Sequence, residues 1–362
     1  MGVLTALAIL AGLIVVHEAG HFFAATWQGI RVSGFSVGFG PVLLERQRRG
    51  VQFALRAIPL GGFVSFPDDD EESTIPADDP NLLRNRPLPQ RALVIAAGVL
   101  ANLLLAWSVL LAQGLVVGIP AGFSTTPGVL VSGVQPGQAA AAAGLRPGDR
   151  ILAVDGVDLG GGQSAVAELV ERVKSAPDQT LQLQAERGDS RVNLALTPAD
   201  LSGIGRIGAQ LQPSGTEAFR RAKGPGEILR QANRDFASLT QRTVEGFITL
   251  ATHFGETASQ VSGPVKIVEM GASLASQGGS SLFLYTALIS INLAVLNALP
   301  LPLLDGGQFV LLLIEGLRGK PLPERFQLAF MQSGFVFLVG LSLVLIVKDT
   351  SQLAAVQQLL GR

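Results

Sequence analysis

Gly2-Val-Leu-Thr-Ala-Leu-Ala-Ile-Leu-Ala-Gly-Leu-Ile-Val-Val-His-Glu-Ala-Gly-His-Phe-Phe-Ala-Ala25 is an apolar run with Glu18 as its only acid and a His-Glu-x-x-His pentapeptide towards its end. It exceeds the ~18 apolar residues needed to cross a hydrocarbon core of roughly 30 Å. On a helix, residues four apart share a face, so His17 and His21 point the same way and Glu18 is offset by about 100°. Ionisable side chains at membrane depth are costly and usually functional. The other reading, a cleaved signal peptide, needs a basic n-region and a small-residue cleavage site. No Lys or Arg precedes Arg31, and the run contains the histidine motif instead of a simple leucine-rich stretch.

Working outward, three further apolar runs follow: Ala92–Ile119, Leu282–Leu299 and Phe326–Val347, the last just before Lys348. The 362 residues are 48% hydrophobic and only 15% charged, against about 25% charged in ordinary soluble domains; mean hydropathy is +0.41. One such run is compatible with a buried core helix. Four predict an α-helical membrane protein with about four transmembrane helices. The net charge of −1 excludes a generally basic nucleic-acid binder. The absence of cysteine excludes disulfides and thiolate metal sites. Any metal must therefore use His, Asp or Glu, and the chain has three histidines.

Short loops rich in Lys and Arg mark the cytoplasmic side. Arg31, Arg46, Arg48, Arg49, Arg56, Arg84, Arg86 and Arg91 lie between runs one and two, and Arg318, Lys320 and Arg325 between runs three and four. Both termini and the long connection after run two are therefore expected outside, in a multi-pass protein in contact with lipid. The expected order is span one with the histidine motif (1–26), a cytoplasmic β-loop and acidic loop (27–91), span two (92–119), an extracytoplasmic α+β domain (120–200) and amphipathic helices on the outer face or against the spans (201–281). Span three (282–307), a cytoplasmic helix and loop (308–325), span four (326–348) and a tail (349–362) complete it. Within 27–91, Gly38-Phe-Gly-Pro41 and Ile58-Pro-Leu-Gly-Gly62 read as strands interrupted by glycines, which mark bulges or close backbone approach. His253 reads as a surface histidine.

The chemistry of the pentapeptide is specific in kind. Two imidazoles one helical turn apart can reach one Zn2+, and the adjacent glutamate can serve as general base. A catalytic zinc site needs a third protein ligand and an open water position. Positions 24 and 27 are Ala and Trp, so a third histidine in the same helix is excluded. Run three offers Asn292 and Asn297, then Leu299-Pro300-Leu-Pro302-Leu-Leu-Asp305-Gly-Gly307. The two prolines break the helix, and a broken helix at membrane depth is tolerated where it lines a cavity or is buried in protein. Asp305 follows the break and either turns towards run one or caps the next helix, 308–317.

Two resemblances extend this. Val134-Gln-Pro-Gly-Gln-Ala-Ala-Ala-Ala-Ala-Gly-Leu-Arg-Pro-Gly-Asp-Arg-Ile-Leu-Ala-Val-Asp-Gly156 resembles a circularly permuted bacterial PDZ domain. Such domains bind extended peptides by strand addition, and the expected groove lies between Val129–Val134, with Val129, Leu130 and Val131 as its wall, and a helix at 164–174. His17-Glu-Ala-Gly-His21 together with Asn297-Ala-Leu-Pro-Leu-Pro-Leu-Leu-Asp-Gly-Gly307 resembles the site-2 protease family of intramembrane metalloproteases. The β-loop, Ser262-Gly-Pro-Val265 and Arg318-Gly-Lys-Pro321 also fit that family. The likeness implies His17, His21 and Asp305 as zinc ligands and Glu18 as catalytic base. It implies Asn297 and Asn292 beside the substrate backbone or oxyanion, and Pro300 and Pro302 shaping the cleft.

The bacterial branch of the family implies a place in the bacterial cytoplasmic (inner) membrane and transmembrane substrates such as an anti-sigma factor or a remnant signal peptide. One PDZ segment is present where some relatives have two, and position 308 is Gln where relatives often have His. Two other readings are an inactive membrane PDZ binding or chaperone module and a metal transporter. Transport favours several polar spans and repeated halves, yet runs two and four carry no acid or histidine.

Overall fold

The structure is a computed structural model that describes residues 2–70, 74–135, 137–188, 190–201, 203–254, 263–277 and 279–351. The acidic residues 71–72, Pro136, Ser262 and the tail from 352 onward lie outside the described residues. In chain order, the first elements are α1 (Gly2–Trp27), β1 (Gly34–Arg48), β2 (Val51–Ser65) and α2 (Leu88–Val116). Next come β3 (Ile119–Val134), α3 (Ala139–Ala142), β4 (Arg150–Val154), β5 (Val157–Asp158), α4 (Gly162–Lys174), β6 (Leu181–Arg187) and β7 (Ser190–Leu196). The remainder is β8 (Ala199–Leu201), β9 (Ile204–Arg206), β10 (Ala209–Arg220), α5 (Pro225–Thr252), α6 (Pro264–Gln277), α7 (Gly279–Ala298), α8 (Asp305–Arg318) and α9 (Glu324–Ser351).

One compact unit is drawn from within Met1–Val117 and Ala222–Leu353. Among the described residues, four helical stretches are long and apolar enough to cross a membrane: Gly2–Trp27, Leu88–Val116, Ser280–Ala298 and Arg325–Thr350. Their outward faces are the opposite of a soluble protein's. On α9, Phe335, Val336, Leu343, Val344 and Val347 are exposed, a continuous apolar surface suited to lipid. α1 meets α2 where a Cβ on Gly20 would collide with the Ala97 carbonyl and lie 2.8 Å from Ala101 Cβ, the close backbone approach that small residues allow between membrane helices. α5 packs against α2 and α7 through Ala232, and Trp107 Nε1 donates to Asn233 Oδ1 at 2.8 Å. The carboxylate of Asp349 on α9 accepts the backbone N–H groups of Gly263 (3.3 Å) and Lys266 (3.0 Å), satisfying donors that the start of α6 would otherwise leave orphaned.

β1 and β2 do not form a simple hairpin. Gly34–Val37 is paired on one side with Gln52–Leu55 and on the other with Gly62–Ser65, while Leu44–Arg48 pairs with Val51–Leu55. Two strands thus fold into four short lanes, with 62–65 at one edge. The bends fall at Gly38, Gly40 and Gly61, whose φ values are 89°, 82° and 119°, a region open to glycine and strained for other residues.

The second unit is drawn from within Gly118–Arg221. Its main sheet has the order β10-β3-β4-β6-β7, with β5 on β4. α4 buries Ala165, Leu169 and Val173, spaced four apart, against this sheet. Asp149 is 1% exposed; it accepts from Arg187 Nε and Nη2, both at 2.7 Å, and from the Arg146 N–H at 2.8 Å. Burial pushes its carboxyl up, but the Arg187 and Arg146 hydrogen bonds outweigh this and hold it below the ordinary value of 3.8. A lowered acid stabilises the fold above its unfolded pKa, and that stability is lost as pH falls through the folded value. Asp149→Ala should cost about 2–3 kcal/mol, less than a fully buried pair because Arg187 keeps some exposure. Hydrogen exchange of the β4 and β6 amides in the full chain should be faster at pH 7; unchanged protection would mean the pair adds nothing.

Three boundaries and the place of β3 differ from what the sequence predicts. α2 ends at Val116, and Gly118, at φ 109°, turns the chain so that Ile119 opens β3. Helices were expected from 201, but β8 to β10 occupy most of the stretch to Arg220, and α5 starts at Pro225. Gln210-Leu211-Gln212 does alternate, but a register shift between Pro213 and Gly215 interrupts the period. The third span ends at Ala298, and Asp305 is the first residue of α8. Most consequential for binding, β3 is interior to the sheet: Val129, Leu130 and Val131 pair with Pro213, Gln212 and Leu211 of β10 on one side, and Val129 and Leu130 pair with Ile151 and Arg150 of β4 on the other. A strand with both ladders filled accepts no third strand, so these residues are not a groove wall. The edge strand packed beside α4 is β10.

Candidate metal centre

Three ligand-type atoms converge in the first unit. His17 Nε2 is 3.3 Å from His21 Nε2 and 3.2 Å from Asp305 Oδ2, and His21 Nε2 is 3.5 Å from the same oxygen. A tetrahedral ion with bonds of about 2.0–2.1 Å sets its ligands roughly 3.3 Å apart. His21 Nδ1 lies 2.8 Å from the Val94 carbonyl, which only accepts. That nitrogen therefore carries a proton, and in the neutral form of the ring the lone pair is on Nε2. Asp305 Oδ2 is buried, and apart from these two imidazole nitrogens it meets no hydrogen-bond partner. Acceptors pointed at one another across about 3.3 Å are satisfied by a cation, so the donor set fits a zinc ion. Among the described residues this is the one group of three or more such side chains with metal-holding geometry. His253 is not part of it.

The sequence explains how the three meet. The four-residue spacing puts both imidazoles on one face of α1. They lie against α2 at Gly98, where a Cβ would collide with His21 Nε2 and stand 2.7 Å from His17 Cε1. Asp305 arrives through the break at 299–304, which includes Leu303 at φ 73°, a strained conformation for a bulky residue. Gly306 and Gly307 let the chain fold back: a Cβ on either would meet the carbonyls of Ala298, Leu299 or Leu301. α8 is tied to α2 by a bidentate pair, Arg91 Nη1 to Glu315 Oε1 at 2.6 Å and Nη2 to Oε2 at 3.3 Å.

A cavity of about 1380 Å³ opens beside this centre and is lined by His17, Glu18, His21, Asp305 and Asn297 together with Gly61–Val64 of β2. Glu18 faces the backbone N–H of Val64, and a Cβ on Gly62 would stand 3.1 Å from Glu18 Cγ. Other expected residues are elsewhere. Asn292 donates to the Leu288 carbonyl of its own helix at 2.9 Å and does not line the cavity. Pro300 and Pro302 do not line it either; Pro302 stands against α9, where a Cβ on Gly334 would lie 2.5 Å from it. The prolines act on the path of the chain, and Leu303 supplies the wall. One residue absent from the sequence reading belongs here. Asn102 of α2 is 0% exposed, and its Nδ2 is 3.2 Å from His17 Nδ1. Its sequence signal was an amide side chain in mid-span.

A helix-borne His-Glu-x-x-His pair joined by a carboxylate from a broken helix, in a bundle suited to a membrane, defines a membrane metallopeptidase. The model described as peptidase family M50 matches residues 5–341, and the chain belongs to that family. It is 51% identical to a protein named as a zinc metalloprotease in Nostoc sp., over 98% of this chain and 97% of that one. It is 48% identical to one so named in Synechocystis sp., over 99% and 97%. It is 44% identical to a chloroplast membrane metalloprotease of Arabidopsis thaliana, over 99% and 80%. A solved PDZ domain of an SdrC-like protein from Listeria monocytogenes aligns with 24% of this chain and 90% of that one at 25% identity, with a TM-score of 0.22, too low to argue from.

Proposed function

We propose that this chain is a zinc-dependent endopeptidase that cuts membrane-spanning segments of other proteins within the bilayer. The observation that carries the reading is the convergence of His17, His21 and Asp305 beside Glu18 in one cavity. His17, His21 and Asp305 would hold the ion. When bound, zinc polarises a carbonyl and acidifies water. Glu18 accepts the proton of the attacking water on its carboxylate and returns it to the leaving amide nitrogen. Asn297 lines the same cavity and donates to the substrate carbonyl.

A helical target must open first, because its own hydrogen bonds occupy its backbone. The edge lane 62–65 lies beside Glu18, and an opened segment pairs there as an added strand. In the second unit, the reading as a PDZ-type module transfers peptide docking from β3 to the edge of β10 beside α4. The substrate class is a transmembrane protein, with an anti-sigma factor or a remnant signal peptide as the specific candidates. The charge of the short loops puts both termini and the residues after the second span on the extracytoplasmic side.

The test uses purified full chain in detergent micelles and a transmembrane reporter. Wild type should bind one equivalent of zinc and cleave the reporter. Asp305→Ala should weaken zinc by more than the roughly 10–100-fold that loss of an outer-shell partner costs. A full equivalent held by that variant at wild-type affinity, or cleavage by metal-free wild type, would overturn the assignment.

A further inference from the structure

The carboxamide of Asn102 holds a contradiction that the metal centre resolves. With Nδ2 towards His17, Asn102 donates to Nδ1 across 3.2 Å. The ring proton is then on Nε2, aimed at Asp305 Oδ2 and His21 Nε2, and such a ring binds no ion through that nitrogen. Turning the carboxamide by 180° about its terminal torsion exchanges oxygen and nitrogen and moves no other heavy atom. Oδ1 then accepts Nδ1–H, and the Nε2 lone pair of His17 joins the other two ligand atoms.

We infer that Asn102 is a positioning residue: it accepts the Nδ1 proton of His17 and so fixes the metal-binding tautomer. The inference rests on the zinc reading above. It treats His17 as the structure already treats His21, whose Nδ1 meets the Val94 carbonyl at 2.8 Å. Val94, Gly98 and Asn102 are spaced four apart and share one face of α2. One face therefore provides the outer partner of each imidazole, and the missing side chain at Gly98 lets both rings lie against it. Asn102 is itself held, since its backbone carbonyl accepts Ser290 Oγ at 2.8 Å. An amide used only to staple α2 to its neighbours would have no bearing on metal affinity.

The experiment measures zinc affinity of the full chain in detergent micelles at pH 7 by competition with a fluorescent chelator. Asn102→Leu should weaken zinc about 10–100-fold, the usual cost of losing such a partner. Asn102→Asp, whose ionised carboxylate only accepts, should hold zinc at least as tightly as wild type. Wild-type affinity in the Leu variant overturns the inference. So does weakened zinc in the Asp variant, the mark of an asparagine that donates, and that variant decides the matter if Asn102→Leu fails to fold. A wild-type chain that binds no zinc sinks the zinc reading as well; normal wild-type binding with either of the other results sinks only the role of Asn102.

Discussion

Glu18→Gln is expected to keep its zinc and lose cleavage by about 100- to 10,000-fold, the range a general base contributes. The exchange is close to isosteric, so the cavity between Glu18 and Gly61–Val64 keeps its shape. The amide cannot take up the proton of the attacking water. Glu18 is not among the three converging ligand atoms, so metal content should be unchanged. The same measurement separates the competing readings. A binding module or a transporter would show no cleavage even as wild type. Full activity in the variant would exclude Glu18 as the base, and loss of zinc would make it a ligand.

The second large effect comes from adding a single methyl group. Gly98→Ala places a Cβ into His21 Nε2 and 2.7 Å from His17 Cε1. Backbone atoms of α1 and α2 already touch at Gly20 and Ala97, so the helices cannot part cheaply, and overpacking costs about 1–3 kcal/mol. Displaced imidazoles lose the ion, and activity should fall at least about 100-fold, as ~1 Å misplacements do. Gly12→Ala is the control: a Cβ there meets nothing within 4 Å, and both zinc and cleavage should stay at wild-type levels. Normal zinc affinity in Gly98→Ala would mean the rings do not lie against α2 as described.

Local periodicity made much of this legible. The spans follow from length and apolarity, and the pairing of His17 with His21 from a four-residue spacing. Asp305 was a candidate from the proline break, and only the family likeness chose between ligand and cap; in the structure it begins α8 and also faces the imidazoles. What the sequence hid was long-range. β10 fills one side of β3 from about eighty residues away, and no pattern within 129–134 announces that its edge is taken. Asn292 and Asn297 are five residues apart, about 140° around a helix axis, so they cannot share a face; the family likeness suggested both, and the geometry admits Asn297. Asn102 had no motif of its own. Its role depends on the turn of α1 that packs opposite.

The lanes of β1 and β2 carry a consequence for choice of target. If the strip at 62–65 holds an incoming chain, it does so by main-chain amides and carbonyls, which every residue except proline offers alike. Little of the grip then depends on which letters the victim carries. Selection shifts to how cheaply a helix comes undone at the cut, so glycine, asparagine or a nearby proline in a doomed span would count for more than any consensus.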